Sequence, residues 1–290
     1  MSYFDLPKEY ADYTTSKVAI LPAGLEETTS YAKGTARAPK AIEIASAQVE
    51  FYDEVLEVET YKIGISTLPD LNFKNLSHEQ GLQQIQEKVA QIVKDRKLPV
   101  VIGGEHSITP AIIKAILNQY KSFTVLQIDA HADLREEYEG SQLSHASAMA
   151  RVREMVPAVQ VGIRNLSKPE AELVKKEKLP VFFAHYIKTH PQWIKDAIAA
   201  IKTDNVYITI DVDGFDSSIM PDTGTPEPGG LDWWDVTNLI AEISKQKQII
   251  GYDFVELKPE PGHHASDFFL AKLIYRCLGY WAKSAGVIPA

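Results

Sequence analysis

The feature that most constrains this chain's fold is an alternation of short apolar runs, rich in β-branched residues, with stretches of helical spacing. The runs are KVAILPA (17–23), YKIGIST (61–67), LPVVIGG (98–104), FTVLQID (123–129), AVQVGIR (158–164), LPVFFA (179–184), NVYITIDV (205–212) and QIIGYDFVEL (248–257), about eight strands in all. Between two of them, Leu82, Ile85, Val89 and Ile92 recur every three to four residues behind a Ser77/Gln80 capping box. Asp232 is similarly placed to cap the pattern Val236, Leu239, Ile240 and Ile243. Strands that alternate with helices form a mainly parallel sheet covered on both faces, and ligands gather beyond the carboxyl ends of its strands. No Pro/Gly/Ser-rich linker or repeat interrupts the pattern, so residues 1–290 read as one domain.

Charge narrows the partners. With 30 Lys+Arg against 39 Asp+Glu the formal charge is −9, which disfavours nucleic acid and suits a small cationic partner. The lone Cys277 cannot form an intramolecular disulfide and lies in the apolar helical pattern AKLIYRCLGY, a core position rather than a nucleophile. MSYFDLPKEY lacks the order of a signal peptide and no apolar run reaches membrane-span length, so a cytoplasmic protein with no membrane association is expected. Nucleotide-binding Gly-rich loops and a Gly-x-Ser-x-Gly elbow are absent from the sequence, which leaves little support for cofactor or serine chemistry.

The chemistry-bearing residues stand at strand ends. QIDAHADLREEY places Asp129, His131 and Asp133 at alternate positions after an apolar run, on one side wherever the backbone stays extended. NVYITIDVD ends in Asp211 and Asp213, two carboxylates that repel unless a cation or proton lies between them. LPVVIGGEHS delivers His106 after two glycines. Four Asp and two His make a hard-to-borderline donor set suited to Mn²⁺, with Zn²⁺, Ni²⁺ or Fe²⁺ as alternatives. They are more ligands than one ion needs, which suggests two ions sharing Asp129 and Asp211 at the separation of about 3.5–4 Å usual in two-metal hydrolytic sites. Such a pair deprotonates a shared water near neutral pH and gives a hydrolase without a covalent intermediate. The long irregular segment GFDSSIMPDTGTPEPGG (214–230) follows a strand and reads as an active-site loop.

The motifs GGEHS (103–107), DAHADLR (129–135), SHAS (144–147), DVD (211–213), GTPEPGGL (224–231) and VELKP (255–259), with SYAKGTARAPKAI and SDFFLAKLIYRCLGY nearer the two ends, resemble the ordered signatures of the ureohydrolases, the arginase and agmatinase family. The resemblance spans nearly the whole chain. It implies an arginase-like three-layer α/β/α fold with an eight-stranded, mainly parallel sheet, two Mn²⁺ ions, and hydrolysis of a guanidino compound to urea and an amine. Carried over by position, His106, Asp129, Asp133 and Asp211 hold one ion, and Asp129, His131, Asp211 and Asp213 the other. His145 would shuttle the proton, since histidine exchanges protons near neutral pH, and Glu256 would accept hydrogen bonds from the guanidinium. The family also implies a homo-oligomer, a trimer or hexamer.

Departures from the common pattern bear on substrate. Arg135, Asn165 and Ser167 do not reproduce the arginase grip on an amino-acid head, while Glu136, Glu137 and Glu170 offer acids for a cationic tail. Agmatine is therefore expected ahead of arginine, guanidinobutyrate, guanidinopropionate, formiminoglutamate or guanidine. A catalytically inactive metal-binding homologue is the alternative from another class, and the intact ligand set argues against it. A deacetylase of similar fold would be expected to use one metal and a different His/Asp set.

Overall fold

The computed structural model describes residues 2–288. Its strands are β1 (Val18–Ala23), β2 (Tyr52–Asp53), β3 (Val58–Glu59), β4 (Ile65–Thr67), β5 (Leu98–Gly103), β6 (Thr124–Ile128), β7 (Ala158–Ile163), β8 (Val181–Phe183), β9 (Asn205–Asp211) and β10 (Gln248–Val255). Eight of them form one parallel sheet in the order β4-β1-β5-β10-β9-β6-β7-β8, while β2 and β3 pair antiparallel as a small hairpin. The fold is the expected three-layer α/β/α arrangement.

Both faces of the sheet are dry. Val18 and Ile20 of β1, with Val100 and Ile102 of β5, pack into one apolar cluster under helices Ala38–Ser46, Trp193–Ala200, Trp233–Gln246 and Ala265–Ser284. The intervening Ala19, Leu21 and Val101 enter a second cluster under helices His78–Lys94, Thr109–Ile116, Ala148–Arg153 and Lys168–Glu177. Alternate side chains thus serve opposite layers, which is why these strands read as continuous apolar runs. In helix His78–Lys94, Leu82, Ile85, Val89, Ile92 and Val93 are buried, each worth about 1.5–3 kcal/mol of transfer free energy. Ile85→Ala would cost about 2–5 kcal/mol because the site cannot collapse around the void. The expected caps form: Ser77 with Gln80, and Asp232 with Asp235, each make reciprocal side-chain to backbone bonds.

One boundary differs from expectation. Of the run 61–67 only Ile65–Thr67 is strand, and Thr60–Ile63 is a 3-10 turn. Gly64 separates them at φ +78, where a Cβ would lie 2.8 Å from the Cα of Ser16. The backbone of the neighbouring segment passes too close there for any side chain, so the strand begins late. The hairpin β2/β3, two residues per strand, is too short for periodicity to register.

Candidate metal centre and active-site cavity

Four adjacent strands in the middle of the sheet, β5, β10, β9 and β6, deliver the polar residues from their carboxyl ends. After β5 the chain passes through Gly104 and Glu105 into the 3-10 turn His106–Ile108, which runs directly into helix Thr109–Ile116. Gly104 is required by close approach, since a Cβ there would sit 2.1 Å from the carbonyl oxygen of Leu25. After β6, Asp129 stays in register, but extended geometry does not carry through to Asp133. That residue takes a left-handed φ of 51°, a conformation costly for a non-glycine residue and retained where the surroundings dictate it. Glu256, one residue past β10, is likewise left-handed at φ 66°.

All six expected ligands converge. His106 Nδ1 lies 3.1 Å from Asp129 Oδ2, 3.1 Å from Asp133 Oδ2 and 3.5 Å from Asp211 Oδ2. His131 Nδ1 lies 2.8 Å from Asp213 Oδ2 and 3.7 Å from Asp129 Oδ1. Two groups therefore have ligand atoms close enough to hold an ion, His106/Asp129/Asp133 and Asp129/His131/Asp213, and Asp129 belongs to both. Backbone donors fix the carboxylates: His131 N–H donates to Asp129 Oδ1 at 2.5 Å, Ala130 N–H to Asp213 Oδ1 at 3.0 Å, and Asp213 N–H to Asp211 Oδ1 at 2.9 Å.

The donor chemistry fits divalent cations. His106 Nδ1 is buried and makes no hydrogen bond despite three neighbouring carboxylates. Its other nitrogen, Nε2, is 2.9 Å from Thr209 Oγ1, whose hydroxyl donates to the buried Asp253 at 2.5 Å. With its proton spent on Asp253, Thr209 can only accept, so Nε2 carries a proton and Nδ1 is the nitrogen left facing the carboxylates. Against the cost of burial, Asp129, Asp133 and Asp211 raise the ring's pKa well above its ordinary value, so the three acids call for positive charge at Nδ1, a proton in the metal-free site or a metal ion in its place. Histidine, hydroxyl and carboxylate in series are the outer shell typical of a ligating imidazole.

Electrostatics agree. Burial, then the charges of Asp213 and Asp133, push Asp129 up to about 7, and burial with Asp213 and Asp129 drives Asp211 well above the usual carboxylate range. Burial opposes a charge on His131, yet Asp213 and Asp129 outweigh it and hold its pKa up to about 11. Burial would also raise Asp213, but its pairing with His131 lowers it to about 2. Like charges about 4 Å apart repel by about 4 kcal/mol at an effective dielectric of 20, which a pair of dications converts to attraction.

His145 and Glu256 line the same cavity, of about 180 Å³, together with His106, His131, Asp133, Asp211 and Asp213. Glu256 is 8 % exposed, and its Oε1 accepts from the His106 N–H at 2.7 Å, so it is tied to the turn that carries a candidate ligand. Burial, then the charge of Glu105, raises its pKa well above the usual carboxylate range. His145 starts a short 3-10 turn; Thr28 Oγ1 lies 3.1 Å from its Nδ1 and Ser30 Oγ 3.0 Å from its Nε2. Thr28 and Ser30 belong to the loop between β1 and helix Ala38–Ser46, which also brings Thr29, Tyr31 and Ala32 to the rim. Cys277 is buried, and burial pushes its thiol up, as a core residue.

The segment 214–230 is irregular but tightly held. Arg164 donates to the carbonyls of Asp213 (2.6 Å), Gly214 (3.3 Å), Phe215 (3.1 Å), Glu227 (2.8 Å) and Pro228 (3.0 Å), gathering both ends of the loop. Asp216 accepts from Ser218 on one oxygen and from Gly229 and Gly230 N–H on the other, and those bonds keep it well below its ordinary pKa. Sequence reading did not single out Arg164, Thr28, Ser30 or Thr209. Only Arg164 had a local signal, a cation ending the strand AVQVGIR.

Three acids expected to meet a cationic tail do not stand free in the cavity. Glu136 is largely exposed and pairs with Arg151 at 3.1 Å, and Glu137 is exposed and outside the lining residues. Glu170 does line the cavity, but it closes a capping box with Ser167 and accepts from the Leu134 N–H at 2.9 Å. The cap takes one of its oxygens and Leu134 the other. Arg135 lies over the Tyr138 ring, 5.3 Å from its centroid.

Comparison with known proteins agrees with this geometry. The arginase family model matches residues 16–279. The chain is 40% identical over 291 residues to the N(1)-aminopropylagmatine ureohydrolase of Synechocystis sp., covering 96% of this chain and 95% of that one. It is 29% identical to the agmatinase of Pyrococcus horikoshii, covering 97% of each. Among solved structures it superposes on the agmatine ureohydrolase of Thermoplasma volcanium with a TM-score of 0.87 at 28% identity, covering 96% of this chain and 94% of that one. With the family's motifs at the ends of the four central strands and a full-length match, this chain belongs to the arginase family.

Proposed function

We propose that this ureohydrolase, a hydrolase of amidino C–N bonds, cleaves agmatine or a longer guanidino amine built on it to urea and the free amine. The observation that carries the reading is the doubled cluster His106/Asp129/Asp133 and Asp129/His131/Asp213 opening into the cavity that His145 and Glu256 also line. Members of the arginase family depend on two metal ions. We assign His106, Asp129, Asp133 and Asp211 to one ion, and Asp129, His131, Asp211 and Asp213 to the other, with Mn²⁺ as the metal on donor hardness. The ions supply Lewis acidity and a water activated near neutral pH.

The chain's own residues do the rest. Glu256, fixed by the His106 N–H, accepts N–H bonds from the planar guanidinium and sets its carbon over the cluster. Desolvation around Asp129 and Asp211 keeps bulk water from screening the site. His145 hands a proton to the departing amine nitrogen, so water's O–H is divided between urea and amine. We further propose that residues 1–290 act as one domain, in the cytoplasm and as a homo-oligomer. Among the described residues no helix is long and apolar enough to cross a membrane.

The aminopropyl-extended cation has its own support. The relative at 40% identity bears that name, whereas the agmatinase reported above is 29% identical. Urea release from agmatine, N(1)-aminopropylagmatine, arginine and guanidinobutyrate, with Mn²⁺ or Ni²⁺ supplied separately, tests the assignment. The two polyamine-type substrates should be cleaved far faster than arginine, and arginine turnover well above both would overturn the choice.

A further inference from the structure

The fully buried Glu105 has no role in the scheme above, although it sits beside a candidate ligand. A carboxylate with no exposure is costly unless its lone pairs are filled. Here Oε2 accepts from the N–H groups of Glu27 (2.8 Å) and Thr28 (2.6 Å), and Oε1 from the hydroxyls of Thr28 (2.8 Å) and Ser107 (2.5 Å). His78 Nε2 is 3.5 Å from Oε1 and 3.0 Å from Ser107 Oγ. Four donors on two oxygens make Glu105 an acceptor toward Thr28.

The consequence reaches His145. Thr28 has one hydroxyl proton, and it goes to Glu105. The same oxygen can then only accept, and two His145 groups face it, the backbone N–H at 3.0 Å and Nδ1 at 3.1 Å. Nδ1 therefore carries the ring proton, with Ser144 Oγ at 3.3 Å as a longer second partner. Nε2, with Ser30 Oγ 3.0 Å away, keeps the lone pair.

We infer that Thr28, held by Glu105, locks His145 in the tautomer whose Nε2 takes and returns the proton, and so acts as a positioning residue for turnover. This rests on His145 being the shuttle. The exchange balances at one atom: Nε2 accepts the proton that the attacking water gives up as its oxygen bonds to the guanidino carbon, releases it to the amine nitrogen as the C–N bond breaks, and Nδ1–H stays on Thr28 throughout. A histidine free to rotate or change tautomer would spend part of its time with the wrong nitrogen offered.

The test is Thr28→Val, close in shape but without a hydroxyl, assayed on agmatine and N(1)-aminopropylagmatine in the Mn²⁺-loaded enzyme. The expected result is a fall in kcat of about tenfold or more, with KM and bound metal within about twofold of wild type and recovery in Thr28→Ser. Wild-type kcat in Thr28→Val would overturn the inference. Should that variant lose metal or fold, imidazole nitrogen NMR of the wild-type protein loaded with Mg²⁺, assigned against His145→Gln, decides it: a proton on Nδ1 supports the assignment and a proton on Nε2 ends it. If wild type released no urea from any guanidino compound, the shuttle reading would fall instead, while the nitrogen shifts would still report the tautomer.

Discussion

The ends of the four central strands and the rim of loops above them are built by different physics. At the strand ends, position follows from register: β5, β10, β9 and β6 lie side by side, Asp211 ends β9, Asp129 and Glu256 directly follow β6 and β10, and His106 follows β5 after Gly104 and Glu105. At the rim, position follows from long-range hydrogen bonds, such as Arg164 reaching carbonyls 49 to 64 residues away and Glu105 holding Thr28 across 77. The lesson is a division of labour. A rigid sheet sets the candidate ligands by register, and hydrogen-bonded loops set the groups that surround them.

Removing the shared carboxylate should give the largest effect. Asp129→Ala is expected to lose bound metal and urea release together while keeping the far-ultraviolet circular dichroism of the parent. Full metal content by atomic absorption would contradict the sharing of Asp129.

Arg164→Met comes next and probes whether the two regions are independent. The loop 214–230 should loosen and lower kcat/KM by about 10²-fold, the scale of an ångström-level misplacement, with metal retained. Because Arg164 also grips the Asp213 carbonyl, loss of metal in this variant would show that the rim supports the strand ends after all.

Acidity separates the regions more gently. In the metal-free protein His131 holds its proton up to about 11 against an ordinary 6.5, and Asp129 up to about 7 against 3.8. The folded state thus binds protons that the unfolded chain has released, so this stabilisation is complete below the unfolded values and is lost as pH rises through the folded ones. Thermal midpoints with chelator should fall as pH rises across 6.5 to 9. Added Mn²⁺ takes deprotonated ligands, so its gain in midpoint should grow over the same interval. A gain independent of pH would contradict the pairing of His131 with Asp213 in the metal-free site.

The smallest effect belongs to Glu136→Ala. Its exposed pair with Arg151 lies outside the cavity, so activity should stay within about twofold and stability within about 0.5 kcal/mol. A large rise in KM for a cationic substrate would reinstate Glu136 as a tail contact.

The same division explains what could be read from sequence. The strands and the gathering of polar residues at their ends were legible because continuous apolar, β-branched runs and what directly follows them are local properties, visible in TVLQID and NVYITID. The run at 61–67 misled because the reason for its break is the backbone of Ser16, not anything inside the run. Glu170 looked like a free acid because its capping partner Ser167 was read for substrate contact rather than for a helix start. Thr28 and Thr209 are common residues in unremarkable surroundings. Only the folded chain reveals that one faces Glu105 and the other stands between His106 and Asp253.

The strand order also bears on how the molecule comes into being. β10, the last strand made, lies between β5 and β9, so a chain ending before residue 248 has β4-β1-β5 on one side and β9-β6-β7-β8 on the other with no ladder joining them. His106 belongs to the first group, and the four aspartates and His131 to the second. Each group would expose a hydrophobic edge to wrong partners until the final strand closes the gap. The candidate metal centre therefore straddles the seam of assembly, and an ion bound there would act as a late fastener between two halves that leave the ribosome one after the other, β1 to β5 and then β6 to β9.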